Sequence, residues 1–389
     1  MNDFLSPDDI SNLISLLIKK NKLWEEKNVR IFFISNKFAG CFTNKKLSRH
    51  YKKIINFTQK EIASLPDYAN SVSTKVFTTE YSGHGKDLAN AIIAEFIGTF
   101  EPESECIIVS AGGDGTSLEM QTTVYTAAQS EPKKMEMVKN HITLLRLPLG
   151  TGNDGTDGHC LEETIELLKG PLKLQNACAL KIYPEGSHTA EDLQRLGKNP
   201  AKYCNPDFKA PWYCFNIASI GLDAYVVYMT NSVKKKLPGN FYHLCVPLSG
   251  LVYDKDFPTG NAKIELFDKD GIKTEEVNTP ITLVAVGASG HRVYGGGHKV
   301  LPNEHNVCIT PKVSLPRLIR DNHQFIDGSF VGTDLASLHS AEKVRISYDQ
   351  AILLQADGEV AMLCKEDFPI VIEKTEPCIR IITSSNNLA

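Results

Sequence analysis

Five residues, Gly112-Gly113-Asp114-Gly115-Thr116, follow an apolar run at 106–111 and precede a run with helical spacing. Three glycines around one carboxylate let successive backbone N–H groups converge on an anion, because no side chain blocks its approach. A helix that begins directly after such a loop adds the partial positive charge of its N-terminus. The loop therefore suits a phosphate group, and Asp114 suits the Mg²⁺ that accompanies a polyphosphate. The structural alternative is a tight strand-to-helix turn.

Similar residues follow the other predicted strands of the first half. The polar and glycine residues after the strands at 29–35 and 142–147, and in the polar segment between these strands, are Asn36, Gly40, Thr79, Gly150, Thr151, Asn153 and Asp154. Ligands of doubly wound sheets bind at the carboxyl ends of the strands, so these segments predict one shared site. No G-x-x-x-x-G-K-[ST] sequence is present, and no G-x-G-x-x-G follows the first strand, which excludes two common nucleotide loops.

The elements that position these residues alternate along the first half. Continuous apolar strands between amphipathic helices predict a parallel α/β sheet. The predicted strands are 29–35, 106–111 and 142–147, and the predicted helices are 87–97, 117–128 and 161–170. The second half contains short strand-like runs divided by Gly, Pro or Asn, which predicts an antiparallel, β-rich domain.

This change in pattern predicts the domain organisation. We expect an N-terminal helical extension over 1–27, an α/β domain over 28–175 and a β-rich domain over 176–389. The segment 186–211 has little strand pattern and is predicted to be an insertion. The segment 314–334 is predicted to be a helix followed by a loop.

Composition excludes several classes of protein. The formal net charge of the 389 residues is −4, so the chain lacks the global basic field of a nucleic-acid binder, and we expect no nucleic-acid partner. The ten cysteines form no C-x-x-C pair, which is typical of reduced thiols in a cytoplasmic protein. No apolar run approaches the ~20 residues that span a bilayer. The N-terminal helix is expected to pack on the core, and the alternative is a membrane-surface helix ending at Lys19-Lys20.

Several motifs occur in a characteristic order. "GGDGT" is followed by "PLGTGND", "FNIASIGLDAYV" (215–226), "YGGGHKVLPN" (294–303) and "QADGEV" (355–360). In this combination the sequence resembles the lipid kinase family that includes diacylglycerol and sphingosine kinases, which have an NAD kinase/diacylglycerol kinase-like fold. The resemblance implies that ATP and Mg²⁺ are used to phosphorylate the hydroxyl of a lipid such as diacylglycerol. It also implies an active site in a cleft between the two domains.

The resemblance assigns ATP contacts to the glycine loops and to the helix that follows the central loop. The implied residues are Asn36, Gly40, Thr79, Gly112, Gly113, Asp114, Gly115, Thr116, Glu119, Gly150, Thr151, Asn153 and Asp154. This chain departs from the family's first loop, because Lys37 stands in place of proline and Ala39 in place of serine. The departure removes a hydroxyl contact to phosphate.

Carboxylates supply the candidate general bases. The family's late Asp-Gly-Glu corresponds to Asp357-Gly358-Glu359, and the resemblance makes either acid a candidate to accept the proton of the lipid hydroxyl. Asp114 is a third candidate, because some members of the family use that position. The structural alternative for Asp-Gly is a hairpin turn. Asp223 resembles a carboxylate that faces the lipid headgroup in sphingosine-type relatives.

Two other functions remain open. NAD kinase and phosphofructokinase share the Gly-Gly-Asp-Gly loop, although NAD kinase lacks the "PLGTGND" form of the second loop. The altered first loop and the short segment 301–309, to which we do not assign the family's structural metal, suggest a nucleotide- or lipid-binding regulator without turnover. The expected partners are ATP, a membrane lipid reached by peripheral membrane contact, and a second copy of the chain in a homodimer. For Lys234-Lys235-Lys236 the alternatives are contact with ATP phosphates, contact with an anionic membrane surface, or a solvated face.

Overall fold

The computed structural model describes residues 4–81, 83–150, 153–185, 210–234, 245, 249, 252–294 and 297–385. The chain divides into two compact units, of which the first comprises Met1–Ala177 with Pro377–Ala389 and the second Cys178–Glu376. Residues 186–209 of the predicted insertion lie outside the described residues.

The first unit is a mostly parallel sheet with helices. Its strands are β1 (Asn28–Ser35), β2 (Ser71–Thr78), β3 (Ser104–Gly112), β4 (Ile142–Pro148), β5 (Leu172–Ala177) and β19 (Ile379–Ser384). Its helices are α1 (Pro7–Lys19), α2 (Gly40–Thr43), α3 (Lys45–Ile62), α4 (His84–Gly98), α5 (Asp114–Ser130), α6 (Pro132–His141) and α7 (Leu161–Lys169), with a 3₁₀ turn at Lys22–Trp24. The predicted α/β fold is confirmed.

The strand register brings the predicted loops to one edge of this sheet. The strand order is β2-β1-β3-β4-β19-β5, and only β5 runs antiparallel to its neighbour among the described pairs. Ser35 at the end of β1 lies opposite Thr78 and Ala111, and Gly112 lies opposite Pro148. Because parallel strands point the same way, the loops after β1, β2, β3 and β4 all leave from the same edge.

Helix α1 belongs to the core of the first unit. Ser6 and Asp9 form a reciprocal capping box, in which the Ser6 hydroxyl accepts from the Asp9 N–H at 3.1 Å. Ile10, Leu13 and Ile14 fall on one face and are buried in the same cluster as the strands. The expectation that this helix packs on the core is confirmed, and α1 is part of the first unit.

The last strand, β19, returns to the first unit. It pairs with β4 and β5, and the buried Arg380 of β19 forms an ion pair with the buried Glu105 of β3. A buried ion pair that loses one partner costs about 3–5 kcal/mol, so this contact holds the strand firmly. The division observed here therefore differs from the predicted domain 176–389 at its C-terminal end.

The second unit is built on antiparallel strands. Its strands are β6 (Leu180–Pro184), β7 (Trp212–Cys214), β8 (Ile217–Gly221), β9 (Asn261–Phe267), β10 (Lys273–Gly287), β11 (Arg292–Tyr294), β12 (His298–Leu301), β13 (Val307–Pro311), β14 (Ser337–His339), β15 (Lys343–Tyr348), β16 (Ile352–Ala356), β17 (Glu359–Leu363) and β18 (Ile370–Lys374). Its helices include α8 (Leu222–Lys234) and α9 (Leu315–Asp327), and it has a 3₁₀ turn at Lys365–Asp367. The helix predicted within 314–334 is confirmed.

The long strand β10 organises the second unit. Its first half pairs with β9, and its second half pairs with β8 and β13, all antiparallel. Strand β8 also pairs with β16, which continues through a hairpin into β17. The predicted antiparallel β-rich domain is confirmed, and this arrangement places the "QADGEV" hairpin beside the "FNIASIG" strand.

Within the described ranges, no helix has the length and apolar character needed to cross a bilayer. The nine cysteines that the structure describes form no disulfide with one another, and most are buried. Burial raises the pKa of Cys41 and of Cys308 to about 12, so both remain protonated thiols at neutral pH.

Candidate active site

The central glycine loop begins helix α5. Gly112 ends β3, Gly113 is the N-cap, and Asp114 is the first helical residue. A Cβ on Gly112 would lie 2.7 Å from Thr116 Oγ1, so this close turn requires glycine. Gly115 is exposed, and a Cβ there would meet nothing within 4 Å. The first turn of α5 therefore borders an open space that a phosphate group can enter.

The loop after β1 is tied to this turn. Asn36 Nδ2 donates to Thr116 Oγ1 at 3.4 Å, and the Asn36 backbone N–H donates to the Ala111 carbonyl at 3.0 Å. The N-cap of α2 is Ala39, and no side chain caps that helix end. Ala39, which stands where the resemblance expects a serine, therefore lies at the start of α2, and Gly40 is the first residue of this helix.

The loop after β4 is also tied to the central turn. The Leu149 N–H donates to the Gly112 carbonyl at 3.1 Å, and the Gly155 N–H donates to Asp114 Oδ1 at 3.3 Å. The loop folds on itself, because Asn153 Oδ1 accepts from the Gly150 N–H at 3.1 Å. The predicted contact Asp154 lies in this loop and is half-buried. The predicted contact at Thr151 falls outside the described residues.

A buried ion pair, which the sequence did not indicate, holds the same loop. Arg146 on β4 bonds both carboxylate oxygens of Asp157, at 3.3 Å to Oδ2 and 2.5 Å to Oδ1, and its NH1 donates to Gln121 Oε1 of α5 at 3.1 Å. Each of the three side chains is less than a tenth exposed. The pair fixes the loop against α5, because separating two buried charges is costly.

The polar segment after β2 meets α5 through Glu119. The Thr79 N–H donates to the Ser35 carbonyl at 2.8 Å, so this segment continues from the same sheet edge. The Glu119 carboxylate accepts from the backbone N–H groups of Gly83 and Gly85, at the start of α4. A Cβ on Gly85 would lie 2.5 Å from Glu119 Oε2, so that contact needs glycine. Three loops from three other strands thus bond to α5.

The Asp-Gly turn lies in the second unit. Asp357 and Gly358 connect β16 to β17, and their φ angles are 47° and 90°. Positive φ at both central residues is the mark of a type I′ turn, whose twist matches that of the flanking strands. The hairpin interpretation of this motif is confirmed. Asp357 and Glu359 are both half-buried.

The Asp357 carboxylate binds the chain before and at the start of β8. Its Oδ2 accepts from the Phe215 N–H at 2.6 Å, and its Oδ1 accepts from the N–H groups of Asn216 and Ile217 at 3.1 and 3.0 Å. The Cys214 thiol donates to Oδ1 at 3.1 Å, and burial raises the pKa of this thiol well above its ordinary value. A carboxylate offers about four lone-pair positions for hydrogen bonds, so these three N–H groups and the thiol occupy its acceptor positions.

A buried polar chain joins this turn to Asp223. The Gly358 N–H donates to Gln355 Oε1 at 3.1 Å, Gln355 Nε2 donates to Ser219 Oγ at 2.9 Å, and Ser219 Oγ donates to Asp223 Oδ2 at 2.6 Å. Gln355 and Ser219 are fully buried, so the chain is rigid. Asn231 of α8 donates to the Gly358 carbonyl at 3.0 Å. The structure therefore brings together Asp223 and the Asp-Gly-Glu turn. The two side chains that link them, Ser219 and Gln355, belong to the motifs "FNIASIGLDAYV" and "QADGEV" but were not predicted as site residues.

Comparison with known proteins finds a family model that matches part of the chain, the segment that contains the glycine loops. A family model of the diacylglycerol kinase catalytic domain matches residues 30–167. The resemblance predicted from the glycine loops is therefore confirmed over the segment that contains them.

Relatives of known structure support the same fold. A crystal structure described as a diacylglycerol kinase from Bacillus anthracis is 16% identical, with a TM-score of 0.50 over 92% of this chain and 98% of that chain. A second structure from that organism, provisionally described as a diacylglycerol kinase, is 18% identical with a TM-score of 0.53 and the same coverage. At these identities the likeness shows the fold alone. An NAD kinase of Syntrophotalea carbinolica is 24% identical over 133 residues, which are 34% of this chain and 40% of that relative.

The diacylglycerol kinase-like segment offers groups that suit Mg²⁺-ATP. No cluster of three or more metal-ligating side chains is found in the part of the chain that the structure describes. Mg²⁺ is commonly bound by one or two carboxylates together with the phosphates of its nucleotide, and it needs no protein cage. Asp114, in the first turn of α5 beside the open space at Gly115, is such a carboxylate. The residues present therefore fit the nucleotide and its metal.

Glu119 predicts a pH dependence of stability. Burial raises the pKa of Glu119 above its ordinary value, against the opposing effect of the two backbone N–H groups. Because the folded state holds this proton more tightly than the unfolded chain, the side chain's contribution to the free energy of unfolding falls as pH rises above about 4.5. Relative to Glu119→Gln, the natural protein should therefore lose stability between pH 4 and 7 in urea titrations. A difference between the two proteins that is constant over this range would contradict the assignment.

Proposed function

We propose that this protein is an ATP-dependent lipid kinase that phosphorylates the hydroxyl of a lipid such as diacylglycerol. The observation that carries the proposal is the convergence of three loops on the first turns of α5, within a segment that matches a diacylglycerol kinase catalytic domain. The loops leave one sheet edge, where nucleotides bind in sheets of this class. A structural turn alone would not require four separate strand ends to be joined in this way.

In this proposal the first unit binds the nucleotide. Backbone N–H groups at Gly113 to Gly115 face the phosphates, and Asp114 holds Mg²⁺, which neutralises the charge that develops during transfer. Asn36, Gly40, Thr79, Thr116, Gly150, Thr151, Asn153 and Asp154 complete the ATP site. Glu119 acts one step further away, because its carboxylate orients the start of α4. ATP supplies the phosphoryl group.

In this proposal the second unit supplies the general base. We assign that role to Glu359, because the oxygens of Asp357 are already used by three backbone N–H groups and a thiol. An acceptor in that state gains little from a further proton donor. Asp357 is then a positioning residue for the hairpin that carries Glu359. Asp223, joined to the same hairpin through Ser219 and Gln355, faces the lipid headgroup.

The direct test is phosphate transfer. Purified protein is incubated with labelled ATP, Mg²⁺ and detergent-dispersed lipids, including diacylglycerol, ceramide-type alcohols and monoacylglycerol. We expect one labelled lipid phosphate whose formation depends on Mg²⁺. Labelled phosphate in no lipid fraction, from protein that binds ATP, would favour the regulator without turnover.

Asp114→Asn tests the nucleotide site within this assay. The change removes one negative charge beside Mg²⁺, so we expect the Kd of Mg²⁺-ATP to rise about tenfold or more by calorimetry. Asp8→Asn is the matched control, because Asp8 is an exposed carboxylate in the first turn of another helix of the same unit, α1. Equal effects of the two changes would remove Asp114 from the site.

A second candidate function is NAD phosphorylation. It is favoured by the match to the Syntrophotalea carbinolica NAD kinase over 133 residues. Incubation with ATP and NAD, followed by an enzymatic assay for NADP, separates the two functions. NADP formation at a rate above that of lipid phosphorylation would replace the lipid kinase proposal.

A further inference from the structure

Helix α3 presents an exposed stripe of cations that ends on an aromatic ring. Lys45, Arg49, Lys53 and Phe57 are four residues apart and therefore lie along one helix face. All four are exposed, and the Phe57 side chain is 70% exposed. The opposite face packs on the core of the first unit through Ser48, Tyr51, Ile55, Thr58 and Ile62. The helix is thus anchored, and its outward face is what a partner would meet.

The stripe is part of a larger concentration of positive charge. Lys45, Lys46, Arg49, His50 and Lys53 line one shallow surface depression that has no carboxylate in its lining. Within the described residues, Lys45, Lys46 and Lys53 form no ion pair. The whole chain carries a net charge of −4, so this patch does not reflect a basic protein.

Acidic groups border the patch at His50 and Lys52. His50 Nε2 lies 2.8 Å from Glu162 Oε1 of α7. Lys52, which is on the side of α3 nearest α1, lies 3.6 Å from Asp9. These contacts involve neither Lys45 nor Lys53. Lys45 and Lys53 are therefore exposed cations outside these contacts.

We propose that this face of α3, comprising Lys45, Lys46, Arg49, Lys53 and Phe57 and here called the α3 face, docks on an anionic lipid bilayer. Its length from residue 45 to residue 57 is about 18 Å, at ~1.5 Å per residue. Lysine and arginine are attracted to an anionic membrane surface, and an exposed aromatic ring inserts at the headgroup level. The exposed Phe57 favours a bilayer over a nucleic-acid duplex, because a duplex surface of phosphates offers no apolar layer for the ring to enter.

The docking proposal rests on the proposed function, because the proposed substrate is a lipid in the membrane. A soluble enzyme whose substrate is a membrane lipid must remain at the bilayer surface long enough to meet it. The α3 face belongs to the first unit, and its residues are distinct from the glycine loops assigned to ATP. Docking should therefore be measurable without nucleotide and without turnover.

The test is vesicle co-sedimentation of the full chain in the absence of ATP. Vesicles are phosphatidylcholine alone, or phosphatidylcholine with about 30% phosphatidylglycerol, which supplies the negative surface potential. We expect the natural protein to bind the anionic vesicles and to be released by high salt. Lys45→Gln/Arg49→Gln/Lys53→Gln should weaken this binding roughly 100-fold, at about fivefold per cation. Phe57→Ala should weaken it about tenfold and with less dependence on salt.

Lys133→Gln/Lys134→Gln/Lys139→Gln is the matched control, because it removes the same charge from helix α6 of the same unit. We call Lys45→Gln/Arg49→Gln/Lys53→Gln the α3 variant. The proposal would be overturned if the control weakened vesicle binding as much as the α3 variant does. It would also be overturned if the natural protein and the α3 variant bound the vesicles equally well. Tighter binding to duplex DNA than to anionic vesicles would replace the bilayer as the partner.

Failure of the proposed function can be distinguished from failure of this docking proposal. A protein that binds vesicles through the α3 face but phosphorylates no lipid would retain this surface, and phosphorylation of a water-soluble short-chain diacylglycerol should be unaffected by the α3 variant.

Discussion

Glu359→Gln should lower kcat about a thousandfold, within the 10²- to 10⁴-fold range of general-base catalysis, and should change the free energy of unfolding by less than about 1 kcal/mol. Glutamine keeps the shape of the side chain but cannot accept the proton of the lipid hydroxyl. Glu359 is half-buried at the start of β17, so its replacement by an isosteric amide disturbs little packing. The measurements are lipid phosphorylation at saturating substrate and urea denaturation.

Asp357→Asn is the contrast that separates the two acids. Here the amide would place a donor against three backbone N–H groups, so buried donors lose their acceptor. We expect the free energy of unfolding to fall by about 3 kcal/mol. Below the unfolding transition, the remaining folded enzyme should lose less kcat than Glu359→Gln does. The opposite order, with Asp357→Asn stable but inactive and Glu359→Gln active, would make Asp357 the base.

Gly115→Ala should stabilise the protein and yet weaken its affinity for Mg²⁺-ATP roughly 30-fold. Alanine in a helix is more favourable than glycine by about 0.5–1 kcal/mol, and no atom lies within 4 Å of the added methyl group. If phosphates approach the first turn of α5 closely, the same methyl group blocks their path. The measurements are the urea midpoint and the Kd of Mg²⁺-ATP by calorimetry.

Two further glycines make this prediction specific. Gly98, at the end of α4, also has nothing within 4 Å of an added Cβ, so Gly98→Ala is the control that should leave nucleotide binding unchanged. At Gly112→Ala the methyl group would lie 2.8 Å from Thr116 Cβ, so that change should lower both stability and affinity. Unchanged ATP affinity in Gly115→Ala would return the loop to its structural interpretation as a tight turn.

Local patterns in the sequence predicted much of the first unit. The strands β1, β3 and β4 are buried on both faces, which gives continuous apolar runs that a sequence shows directly. Strand β2 was missed because it lies at the edge of the sheet, where its residues alternate between exposed and half-buried and include polar side chains. Helix α3 was missed for a related reason: its charged outward face dilutes the apolar spacing.

The candidate site also contains some features that the sequence predicts and others that it does not. Glycine loops and the Asp-Gly turn are local requirements of backbone geometry, and they could be found residue by residue. The polar chain from Gly358 through Gln355 and Ser219 to Asp223 joins residues more than 130 positions apart. No spacing rule predicts such a contact. That the two sets of site residues share a cleft stays a prediction.

The sequence by itself determined which segments become buried strands, where glycine loops leave them, and that a second, antiparallel half follows. Only the tertiary structure decided that β19 inserts beside β4 in the first unit and that Asp357 binds the chain at Phe215, Asn216 and Ile217. The physical reason is that strand formation and turn conformation depend on neighbouring residues. Strand partners and hydrogen-bond partners depend on the distant surfaces that the folded chain brings together.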